Sequence, residues 1–243
     1  MRGKQRWLAD EMRIVAFKPG QLEEEGYARG YHFIAGLDEV GVGPLAGPVI
    51  AAAVVLPRGL LNEEIKDSKL LGARKREELA QWIRQNAVAW ALGTVGPEEI
   101  DRINILNASH VAMASAFKEL NPAPDYLLID GSYEIPRNLL KSESFRLYSF
   151  PQQRAIKKGD RLCLSISAAS IVAKVTRDRL MTEYDRQYPE YEFARHKGYA
   201  SKVHLAALNR FGPSPIHRKS FGGVRELLPQ RPGESTPLLF AND

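Results

Sequence analysis

One cysteine, Cys163, occurs in 243 residues, so the chain can form no intramolecular disulfide and no cysteine-based zinc site of its own. Any metal it binds must be held mainly by oxygen or histidine. The chain also lacks an apolar run long enough to cross a bilayer, and its start, Met1 to Arg13, is charged where a secretory signal needs an apolar segment. A cytoplasmic protein without membrane contact is expected. Internal repeats and low-complexity blocks are missing too. A further absence is local: between Arg195 and Arg225 there is no Asp or Glu, while Arg195, Lys197, Lys202, Arg210, Arg218, Lys219 and Arg225 stand there with His196, His204 and His217. That stretch is either a phosphate-facing surface or a solvated basic face.

The residues present are those of an ordinary globular protein, 44% hydrophobic and 26% charged. With 34 Lys and Arg against 29 Asp and Glu, the net charge of +5 suits an anionic partner without identifying one. Residues 1–30 read as an N-terminal appendage, partly helical, and 230–243 as a loose tail rich in proline and glycine. Between them, Phe33 to Leu37 and Val49 to Leu56 read as two strands of a hairpin around a Gly/Pro-rich turn. A helix is expected over Ala73 to Gln85, a strand over Ala87 to Val95, a helix opening at Pro97, and another over Ile105 to Leu120. Tyr126 to Ile129 forms a short buried strand, a further strand includes Phe145 to Phe150, and a long serine-capped helix covers Ser165 to Tyr184. Strands first, then alternating helix and strand, predict an α/β fold: a mixed central sheet flanked by helices, closed by a C-terminal helical basic segment.

The chemistry gathers at strand ends. Successive strand residues face opposite ways, so Asp38 and Glu39 can line one site only if the chain leaves extended geometry, which Gly41 and Gly43 permit. Asp130 ends an apolar strand before a glycine, where a carboxylate needs a cleft or a cation. Asp160 follows Lys157-Lys158-Gly159 ahead of the long helix. Taken singly, each acid has an ordinary explanation in turn chemistry or charge screening. If they converge, they form an all-oxygen site suited to Mg²⁺ or Mn²⁺.

Around these acids the sequence carries ordered blocks: Asp38-Glu39-Val40-Gly41-Val42-Gly43-Pro44-Leu45-Ala46-Gly47-Pro48-Val49, Asp67-Ser68-Lys69, Ile103 to Ala108, and Leu128-Ile129-Asp130-Gly131. Lys158-Gly159-Asp160, Ser167 to Asp178, His196-Lys197-Gly198-Tyr199 and Ser214-Pro215-Ile216-His217-Arg218 follow. In this order they resemble the bacterial ribonuclease HII family from about Phe33 to Arg225. The resemblance implies a ribonuclease H-like fold, with 31–229 as the catalytic domain. It further implies hydrolysis 5′ to a ribonucleotide, in RNA–DNA hybrids and in duplex DNA with embedded ribonucleotides, leaving a 3′-hydroxyl and a 5′-phosphate. Asp38, Glu39, Asp130 and Asp160 match the four metal-binding acids, Gly41-Val42-Gly43 the backbone strip that senses the 2′-hydroxyl, and Tyr199 the tyrosine that packs on the neighbouring sugar.

Other residues carry less. Lys69, Lys158 and His217 are candidates to hold phosphate, a role for which residue type fits solvated charge as well. Lys174 and Asp178 have the spacing of a helical surface pair. The family usually has arginine where this chain has Val42, so an arginine contact is lost and substrate preference is open. Two other readings stand beside this one: a DNA junction nuclease on a related fold, and an inactive nucleic-acid-binding protein. A monomer is expected, with no protein partner indicated.

Overall fold

The computed structural model describes residues 20–60, 62–65, 68, 71–141 and 150–229. Five strands form one sheet in the order β3-β2-β1-β4-β5. Strands β1 (Ile34–Val40), β2 (Val49–Val55) and β3 (Ala89–Val95) are antiparallel neighbours. β4 (Tyr126–Asp130) lies parallel to β1, and β5 (Gln152–Ile156) lies parallel to β4. Of the expected Phe145 to Phe150 strand, 145–149 fall outside the described residues and Phe150 lies outside any strand; the fifth described strand begins at Gln152.

β2, with the sequence Val-Ile-Ala-Ala-Ala-Val-Val, is buried along its whole length, so its alternate residues serve two layers. Val49, Ala51, Ala53 and Val55 pack with α4 (Ile105–Lys118) through Ala108, Ala112 and Phe117. Ala52 and Val54 pack on the other face with α2 (Ala73–Asn86) and with α6 (Leu164–Gln187). The alanines let helices approach closely on both faces. Pro97 opens α3 (Pro97–Ile103), as its fixed φ favours.

One such close approach is at Gly36. A β-carbon there would overlap the Ser165 carbonyl carbon and the Ile166 nitrogen, both backbone atoms at the start of α6. Gly36→Ala should therefore cost at least about 3 kcal/mol, since packed backbone does not move aside as a side chain does. A drop on the order of 10 °C in melting temperature is expected, and an unchanged melting curve would refute the packing described.

The start of α6 is capped differently from the sequence expectation. Its N-cap is Cys163, with no side-chain cap bond. Instead Glu23, from α1 (Gln21–Ala28), accepts bonds from Ser165 N–H (2.8 Å) and Ser165 Oγ (2.7 Å). A carboxylate from elsewhere thus takes an orphan donor at a helix N-terminus, where negative charge is favoured. Leu22 of the same helix packs on Ile34, Tyr126 and Leu128. Among the described residues no helix is long and apolar enough to cross a membrane.

Candidate active site

β1 and β4 run side by side with Leu37 opposite Ile129, the last pair of their ladder, so Asp38 and Asp130 follow next to each other where β4 ends. Leu127 and Ile129 face the α4 layer and Leu128 the other, so strand alternation aims Asp130 and Asp38 toward α6. α5 (Gly159–Leu162) brings in Asp160, which is buried. Asp130 Oδ1 accepts the Gly159 N–H at 2.7 Å, tying the end of β4 to that helical turn.

Asp38 shows that the acids share one electrostatic site. Its pKa is raised well above the ordinary 3.8, first by burial, then by the charges of Glu39 and Asp130, and also by Asp160; a hydrogen bond from Ser170 acts against the rise. Only carboxylates in one neighbourhood repel one another in this way. Ser170, on α6, is itself buried and lies 2.9 Å from Ser68 Oγ, so with its proton given to Asp38 it receives one from Ser68. The sequence reading gave neither serine a role; a hydroxyl inside the apolar run Ser167 to Val175 was the available signal.

One expectation about the backbone is corrected. β1 does not end before the acids but stays paired with β2 through Val40, with Glu39 opposite Ala51. Asp38 and Glu39 therefore start from opposite faces of the sheet, and the Glu39 N–H bonds Asp38 Oδ1 at 2.8 Å. Among the described residues no three His, Cys, Asp or Glu side chains stand as a ready-made ligand cage. The donor set nevertheless fits a hard divalent cation: it is all carboxylate, drawn from β1, β4 and α5, and its mutual repulsion is what such an ion relieves.

Beside the acids lies the Gly-rich loop. Val42 is 40% exposed, and a β-carbon built on Gly43 would lie 3.8 Å from Tyr199 Cε1, so the strip and the tyrosine meet. Tyr199 is exposed, while its main chain is fixed by bonds from Ser201 N–H (2.8 Å) and to His196 O (3.0 Å). Lys158 is exposed in left-handed backbone, two residues before Asp160. Lys69 lies outside the described residues. The Lys174–Asp178 pair is formed, at 2.7 Å.

His217 is not brought to this surface. It is buried, and its Nδ1 accepts from Ser214 N–H at 2.9 Å, which leaves its proton on Nε2. That proton goes to His204 Nε2 at 2.9 Å, and His204 Nδ1–H in turn donates to Tyr199 O at 2.8 Å. Burial lowers both histidines to a pKa of about 4, so His217 is neutral at pH 7 and offers a phosphate no charge. Much of the acid-free stretch is likewise interior: Arg218 and His204 are fully buried with His217, leaving Arg195, Lys202, Arg210, Lys219 and Arg225 exposed. Apolar partners such as Phe193 and Tyr191 surround the histidines, a packing that charge counting does not reveal.

A mixed sheet of this strand order, with Asp38 and Glu39 on β1, Asp130 at the end of β4 and Asp160 on the helical turn α5, is that of a nuclease of ribonuclease H-like fold that hydrolyses phosphodiester bonds. The family model for ribonuclease HII matches residues 35–224, and the chain belongs to that family. It is 53% identical over 215 residues to the ribonuclease HII of Citrifermentans bemidjiense, covering 88% of each chain. Among solved structures, ribonuclease H2 from Pyrococcus horikoshii is 27% identical with a TM-score of 0.65, covering 81% of this chain and 97% of the other. Bst ribonuclease HIII, solved in complex with Mn²⁺, is 18% identical with a TM-score of 0.63 over 80% of this chain and 68% of its own, and shares the fold. The family is divalent-metal dependent.

Proposed function

We propose that this chain cuts the phosphodiester on the 5′ side of a ribonucleotide, in RNA–DNA hybrids and in duplex DNA with embedded ribonucleotides. It leaves a 3′-hydroxyl and a 5′-phosphate. The observation that supports this best is the joint rise of the Asp38 pKa by Glu39, Asp130 and Asp160, next to a strip of backbone that meets an exposed tyrosine. In this reading Asp38, Glu39, Asp130 and Asp160 hold Mg²⁺ or Mn²⁺. When bound, the ion lowers the pKa of an attacking water and stabilises charge on the leaving oxygen. Asp38 must give up its proton to serve as a ligand, and the Ser170 hydrogen bond favours that ionised form. The Gly159 N–H bond to Asp130 Oδ1 helps orient this carboxylate as a ligand.

The Gly41-Val42-Gly43 backbone reads the 2′-hydroxyl, the group that separates RNA from DNA. Tyr199 packs on the adjacent sugar, and exposed Lys158 lies within reach of phosphate. Val42 leaves the backbone contact in place while removing a side-chain cation, so ribose is still required at the cut. Incubation with Mg²⁺ and a DNA duplex holding one ribonucleotide, beside a ribose-free four-way junction, tests the reading. Cutting of the first alone is expected; cutting of the junction would reassign the substrate, and binding without cutting of either would make this a binding protein.

Tyr199→Ala should reduce cleavage at a single embedded ribonucleotide by about tenfold or more, in line with roughly 1–3 kcal/mol for a lost aromatic contact. Cleavage of a long RNA–DNA hybrid should fall less, because many registers remain open to it. Equal losses on both substrates would give Tyr199 a purely structural role.

A further inference from the structure

Two arginines are among the largest fully buried side chains described in the molecule, and both face the same loop. Arg218 donates from Nε to Gly47 O (2.9 Å), from Nη1 to Val42 O (2.9 Å) and from Nη2 to Gly41 O (2.5 Å). Arg177 donates to Pro48 O (3.0 Å), Ala46 O (3.0 Å) and Lys197 O (2.9 Å). Each planar fork thus meets three carbonyls with good geometry, which offsets part of the desolvation of a buried cation. Burial lowers the Arg218 pKa to about 9, so it remains charged at neutral pH.

The direction of those carbonyls fixes the direction of their neighbours. In a trans peptide the C=O of one residue and the N–H of the next point opposite ways. Arg218 draws the Gly41 and Val42 carbonyls inward, so the Val42 and Gly43 N–H groups are turned outward, toward the side where Val42 is exposed and Tyr199 stands. Among the described residues neither N–H is engaged by another backbone group of the loop. Gly41 has φ +95°, and a β-carbon there would overlap Arg177 Nε, so only glycine lets the chain turn while lying against the buried cations.

We propose that Arg218 is the positioning residue for ribose selectivity: by holding the Gly41 and Val42 carbonyls, it presents the Val42 and Gly43 N–H groups as a fixed pair of donors to the 2′-hydroxyl oxygen. Arg177 anchors the far end of the same loop without touching the strip's carbonyls. The inference rests on the ribonucleotide reading above and names the side chain that orients the reader. It also accounts for tolerance of valine at position 42, since the donors belong to the backbone and their aim to Arg218.

The test compares affinities for matched duplexes with and without one ribonucleotide, with Ca²⁺ replacing the catalytic ion, for the wild type, Arg218→Lys and Arg177→Lys. Lysine keeps the charge but, as a point donor, cannot span the three carbonyls. The wild type should prefer the ribonucleotide duplex roughly five- to tenfold, the worth of one or two hydrogen bonds. Arg218→Lys should bring that preference below about twofold with all-DNA affinity unchanged, while Arg177→Lys keeps it. A folded Arg218→Lys with the wild-type preference, or with both affinities lowered in proportion, would overturn the proposal. If Arg218→Lys does not fold, amide NMR of the wild type decides: Val42 and Gly43 N–H signals should move with the ribonucleotide duplex and not with its all-DNA match, and identical responses would overturn it. A wild type without any ribose preference would instead remove the substrate reading on which the inference stands.

Discussion

Asp130→Asn is expected to lower Mg²⁺-dependent cleavage by at least roughly a hundredfold, because an ion supplies several kcal/mol of transition-state stabilisation and its ligand set would lose a charge. Side-chain size barely changes. The amide's oxygen can still accept the Gly159 N–H that now bonds Asp130 Oδ1 at 2.7 Å, so the joint between β4 and α5 should survive. Circular dichroism and melting curves should match the wild type closely, or show a small gain from reduced repulsion. Near-normal turnover by the folded variant would exclude Asp130 from the site.

Asp38→Asn should have the opposite effect on stability from the one it has on activity. The folded-state pKa of Asp38 is raised above 3.8 by burial and by Glu39, Asp130 and Asp160. The folded protein therefore binds this proton more tightly than the unfolded chain does. Stability from that proton is fully present below the unfolded value and is lost as pH rises through the folded pKa. Asparagine never ionises and escapes the loss. In EDTA at alkaline pH the variant should melt a few degrees above the wild type, each kcal/mol being worth about 2–4 °C in a protein of this size. Near pH 4 the two curves should converge. Added Mg²⁺ should raise the wild type and not the variant, since only the wild type keeps the full ligand set for the ion. Turnover by Asp38→Asn should fall as far as in Asp130→Asn. A variant less stable than the wild type in EDTA at every pH would mean that Asp38 sits there as a structural acceptor for Glu39 N–H and Ser170.

The differing legibility of parts of this protein has physical causes. Strands such as β2 and β4 declare themselves because burial on both faces demands continuous apolar residues, and α2 and α4 because their apolar residues recur at helical spacing, whereas α6 is buried all round from Leu164 to Ala173 and shows little such periodicity. The four acids were legible as candidates through the ordered motifs around them. Their relation to the backbone was not: strand pairing that carries β1 through Glu39 to Val40 depends on β2, which no local reading of two glycines contains. The buried cations were the hardest to see. In sequence Arg218 is one more charge in an acid-free stretch and Arg177 one more residue on a helix, yet each lies in the interior facing three backbone carbonyls. Charge predicts exposure because isolated burial is expensive, and the exception arises where a glycine-rich loop turns its carbonyls inward. The capping of α6 by Glu23 fails to show for a similar reason, since the acceptor comes from a helix more than a hundred residues away in sequence.

The central claim, that water is activated at these acids and cuts beside a ribonucleotide, is tested most directly by the ends it leaves. A DNA duplex carrying one ribonucleotide, labelled at either end and cut by the wild type in Mg²⁺, should yield a single break on the 5′ side of that ribonucleotide, with a 3′-hydroxyl upstream and a 5′-phosphate on the ribonucleotide. A 2′,3′-cyclic phosphate would mean that the ribose itself attacks and the acids play another part, and efficient cutting of the matched ribose-free duplex would contradict the specificity.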